Sequence, residues 1–82
     1  MITAVNKKNQ SKVDRACRWL IKYNEVNAKR DLESDTNGED TAKFRRLERV
    51  CEASFDKYLT WCDELPKYEV KNIEKSELYY EG

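Results

Sequence analysis

Apolar and polar residues alternate along this chain with the period of a helix, not of a strand. Val13, Ala16, Cys17, Leu20 and Tyr23 share one face about 120° wide at 100° per residue. Lys12, Arg15, Arg18, Lys22 and Lys29 collect on the opposite face, and Trp19 and Val26 fall on the seam between the two. This pattern predicts a first helix over about 11–32, with Ser11 as N-cap and Asp14 in its first turn.

The second pattern is the clearer one. Phe44, Leu47, Cys51, Ser54, Tyr58, Trp61 and Leu65 follow one another in steps of three and four, an unbroken coiled-coil seam. Val50, Phe55, Leu59 and Cys62 widen that stripe. A helix over about 41–65 follows, capped by Asp40 or Thr41 and stopped by Pro66. Residues 33–40 form the one turn-rich stretch, and Asn37-Gly38 is suited to a sharp reversal. Beyond Pro66 the signal weakens to a short third helix or an extended tail.

The expected fold is therefore all-α: an antiparallel hairpin in a single domain, 1–82. Residues 1–9 form a flexible arm and 76–82 a tail. The stripe on the second helix is too wide for the first helix to cover alone. It calls for a third helix or for a second copy, giving a dimeric four-helix bundle. A homodimer is the expected assembly.

Composition narrows the function. With two glycines and one proline in 82 residues, the chain lacks the turns of a sandwich or barrel and the loop of a phosphate-binding enzyme. It has no histidine, so imidazole acid–base chemistry and the usual histidine-containing zinc and di-metal sites are out of reach. No enzyme, cofactor or metal is expected. Cys17, Cys51 and Cys62 stand far apart and fit reduced thiols packed as small apolar residues. The mean hydropathy of −1.00, the lack of any apolar run near the ~18 residues of a membrane span, and an N-terminus without a signal peptide predict a cytoplasmic protein with no membrane partner.

Net charge is zero, but it is unevenly laid out. Residues 1–30 carry eight basic and two acidic side chains, and residues 31–82 carry eight basic and fourteen acidic ones. In an antiparallel hairpin the basic face of the first helix lies beside Glu52, Asp56, Asp63 and Glu64, so the two patterns are expected to complement one another. Lys43, Arg45, Arg46 and Arg49 make a second basic cluster at the turn end, where Arg45 with Glu48 and Arg49 with Glu52 are spaced for ion pairs.

Two functions are compatible with these features. The first is a small helical adaptor or regulator that binds another protein as an oligomer. Its anchors would be Trp19, Val26, Tyr68, Tyr79 and Tyr80, since aromatic residues dominate interface energetics. The second is nucleic-acid binding through Lys12, Arg15, Arg18, Lys22, Lys29, Arg45 and Arg49, with Trp19 placed to stack on an unpaired base.

Overall fold

The computed structural model describes residues 2–76, 78 and 79, and among these it contains helices and no strand. A 3₁₀ turn at Lys7–Asn9 leads into α1 (Gln10–Asn37); α2 (Ala42–Asp63) and a short α3 (Lys67–Glu74) follow. The two long helices pack as a hairpin. The molecule measures 45 × 20 × 16 Å, its length set by the 28 residues of α1 at about 1.5 Å each.

The helix α1 runs five residues beyond its expected end. Glu33 explains the extension: its carboxylate is buried, accepting from Asn37 Nδ2 at 3.1 Å and from Thr41 Oγ1 at 2.7 Å. Those bonds tie the last turn of α1 to the start of α2. Gly38 then reverses the chain at φ 82°, its N–H donating to the Ser34 carbonyl at 3.0 Å. Thr41 caps α2 by accepting the Phe44 N–H at 3.0 Å. The connection thus shrinks from eight residues to four, 38–41.

The start of α1 also departs from expectation. Ser11 lies within the helix, because the 3₁₀ turn feeds directly into it and Asn6 caps that turn through the Lys8 N–H at 3.1 Å. The segment read as a flexible arm is docked. Gln10 accepts the Ala4 N–H at 2.7 Å and donates to the Ile2 carbonyl at 3.0 Å, while Asn72 on α3 donates to the Thr3 carbonyl at 3.1 Å.

Glu69, on α3, is fully buried and accepts three hydrogen bonds: Val5 N–H at 2.8 Å, Asn6 N–H at 3.0 Å and Asn9 Nδ2 at 2.8 Å. Burial alone would push this carboxyl up, yet the three donors hold it below its ordinary range. Glu69 therefore fastens the beginning of the chain to α3 and gives the weak helical signal after Pro66 a tertiary reason to fold.

The core gathers at this end. Ala4, Val13, Ala16, Cys17, Leu20, Tyr58, Cys62, Leu65 and Ile73 form one buried cluster, with Leu78 and Tyr79 packed against it. Tyr23, Phe55, Tyr58 and Tyr79 make an aromatic ladder with successive centroids 5.0, 5.6 and 6.3 Å apart. Asn24 Nδ2 ties the Leu78 carbonyl at 2.7 Å. At this end α3, Ile2, Ala4, Leu78 and Tyr79 cover the wide stripe of α2. The three cysteines are free and buried, and burial pushes each thiol up in pKa, away from the reactive thiolate.

Candidate interaction site

An open groove runs along one edge of the hairpin, lined by Arg15, Arg18, Trp19 and Lys22 of α1 and by Trp61 of α2. The α1 residues are spaced three and four apart, so they stack along one edge of the helix. Both tryptophans are half-buried against the core and keep an outer part in the groove. The Arg15 guanidinium sits over the Trp61 ring, 5.0 Å from its centroid, a cation–π contact. Arg18 and Lys22 form the exposed rim.

The basic face of α1 makes no ion pair within 4.0 Å with Glu52, Asp56, Asp63 or Glu64 among the described residues. Among the described residues the ion pairs within 4.0 Å are Arg30 with Asp31 and Lys43 with Glu33. Neither involves the groove cations, and neither uses the Arg45–Glu48 or Arg49–Glu52 spacings. Lys12, Arg15, Arg18, Lys22, Lys29, Arg45 and Arg49 are all exposed. Only Arg15, Arg18 and Lys22 of these meet around the tryptophans. Lys29 borders a separate groove with Leu32 and Leu47, and Arg45 sits among Arg30, Asp31, Glu39, Asp40 and Glu48, where the signs are mixed.

The proposed protein anchors scatter. Trp19 is in the groove. Val26 is buried in the hairpin, 8 % exposed, and is not available as an anchor. Near the turn α1 faces α2 alone and buries the edge bearing Val26 and Glu33. At the other end α1 is shared with α3 and the N-terminal segment, and it buries Val13 and Cys17 instead. Tyr68 is exposed, its hydroxyl accepting from Asn9 Nδ2 at 3.4 Å. Tyr79 is spent on the aromatic ladder, and Tyr80 lies outside the described residues.

The chain matches no family model, no curated protein and no solved structure.

Trp61 is the groove residue that the pattern assigned to the core. The reason is register. A loop at 33–40 sets the level of Trp19 opposite about Ser54, whereas the observed connection at 38–41 sets it opposite about Thr60, next to Trp61. The buried acids Glu33 and Glu69 carried no sequence signal, because an isolated Glu in a helical pattern reads as solvated surface.

Proposed function

We propose that this protein is a non-enzymatic interaction module, a small helical adaptor or regulator that grips an acidic stretch of protein in the Trp19–Trp61 groove. The observation that carries this reading is the set of three cations, without ion-pair partners among the described residues, around two half-buried indoles. Tryptophan and arginine are the residues most enriched at interface hot spots. A guanidinium resting on an indole is desolvated on that face and keeps its N–H fork for a carboxylate. The expected ligand is thus a segment with carboxylates flanking an aliphatic side chain.

Nucleic acid is the competing ligand, and two features count against it. Arg15 already covers the Trp61 ring, which leaves Trp19 as the single indole of the groove open to a base. The remaining cations do not continue the groove into a single-signed track, because acids intervene at the turn end.

Tryptophan fluorescence, titrated with a synthetic acidic amphipathic helix and separately with a single-stranded oligonucleotide, tests the assignment. Peptide binding that falls in Arg18→Glu and Trp19→Ala, with helicity unchanged, supports it. Oligonucleotide binding with a steep salt dependence, in the absence of peptide binding, overturns it in favour of nucleic acid. Collapse of helicity in Trp19→Ala shows that the indole serves the core.

A further inference from the structure

Among the described residues the groove cations and the acids of α2 do not pair with one another within 4.0 Å. Arg15, Arg18 and Lys22 on α1 and Glu52, Asp56 and Asp63 on α2 are all exposed. The acids are ordered. Glu52, Asp56, Leu59 and Asp63 follow in steps of four, three and four, which aligns them as one stripe along α2. Leu59 stands in that stripe 43 % exposed, an aliphatic side chain between carboxylates. Lys67 and Lys71 of α3 approach its Asp63 end, so Glu52 and Asp56 carry most of its negative charge. Leu59 and Trp61 are two residues apart, about 200° around the helix. Groove and stripe therefore occupy opposite edges of the molecule.

We propose that the occupant of the groove is the Glu52–Asp63 stripe of a second copy of this chain. This rests on the reading of the groove as a protein-binding site and names its partner. In the contact Leu59 enters between Trp19 and Trp61, and Glu52 and Asp56 face the groove cations. The spacings agree: Arg18 to Lys22 and Glu52 to Asp56 each rise about 6 Å along their helices. Because the two patches lie on opposite edges, every contact leaves a stripe free on one copy and a groove free on the other. The association is head-to-tail and grows with concentration, unlike a closed two-fold dimer. Being built on exposed charges, it weakens as salt rises.

Light scattering of the full chain at rising concentration, in low and in high salt, is the direct test. The mean mass is expected to climb above 9.8 kDa at low salt and to return to it at high salt. Charge reversal makes the test specific. R15E/R18E/K22E removes the groove, and E52Q/D56N/D63N neutralises the stripe without making it a match for the reversed groove. Each alone is expected to remain monomeric, while their mixture gives a 1:1 complex of about 20 kDa, twice the 9.8 kDa chain, because each supplies the half the other lacks. All six positions are exposed, and far-UV circular dichroism checks that helix content is retained. If a triple variant loses helix, Arg18→Glu and Asp56→Asn serve as the mixing pair.

A wild-type chain that stays monomeric throughout, or variants that do not pair, overturns the proposal. Self-association that persists in both variants places the contact elsewhere and also overturns it. If the synthetic acidic helix still binds the groove in that case, the protein-binding reading survives without the second copy. If it does not, both fall.

Discussion

At the end of the hairpin where the chain begins and α3 folds back, α1 is enclosed by α2, α3, the docked N-terminal segment and Leu78–Tyr79. At the turn end it meets α2 alone. The closed end buries a contiguous cluster and an aromatic ladder, whereas the turn end leaves Leu32 67 % exposed and Leu47 and Phe44 half-buried. Each end also holds one buried acid. Glu69 joins segments more than sixty residues apart, while Glu33 joins residues four and eight positions away. Long-range closure at one end and local closure at the other imply that stability is concentrated at the closed end, away from the turn.

The largest loss is expected for Ile73→Ala at the closed end. Ile73 is fully buried, and its truncation is expected to cost about 2–5 kcal/mol by denaturant unfolding. A loss under about 1 kcal/mol would mean that α3 contributes little to the fold.

Acid is the next lever. The folded-state value of Glu69 lies below its ordinary 4.5, so its contribution is present above that pH and is lost as pH falls through the lower folded value. The Val5 and Asn6 amide resonances are expected to titrate with a midpoint below 4.5, and Glu69→Gln should abolish that step. Glu33 is lowered in the same direction by its bonds from Thr41 and Asn37, so an acid step reported by the Thr41 hydroxyl belongs to the turn end.

Thr41→Ala removes both the cap of α2 and a donor to Glu33. About 0.5–2 kcal/mol is expected, with faster hydrogen exchange confined to residues around the turn. Exchange that also accelerates at Leu20 and Tyr58 would show that the two ends unfold as one.

Tyr58→Phe sharpens the account of the closed end. The Tyr58 hydroxyl is buried without a hydrogen-bond partner, beside the weakly bonding Cys62 thiol. Burial, with that thiol, pushes its ionisation far above the ordinary phenol range. Removing the oxygen is expected to leave stability unchanged or to raise it by up to about 1 kcal/mol. The smallest effect is expected for Leu32→Ser at the turn end, within about 0.5 kcal/mol.

Helix identity was legible because it follows from local spacing. The seam from Phe44 to Leu65, the cap at Thr41 and the break at Pro66 are each settled within a few residues. The basic edge of α1 was equally visible, and with Trp19 it supplied four of the five groove residues. Glu33 and Asn37 look like turn formers until Thr41 reaches back to Glu33, so the pattern along the chain ends α1 too early. The early end shifts the expected register and hides Trp61 from the groove.

The sequence by itself determined that this chain forms two long amphipathic helices with a cationic half and an acidic half, since periodicity and charge are local quantities. Only the tertiary structure decided which end closes, that residues 2–9 dock, that Val26 turns inward, and that the two charged faces do not meet. Those outcomes depend on which distant segments compete for the same surface. A carboxylate such as Glu69 finds its donors more than sixty residues away, and no pattern along the chain encodes that meeting.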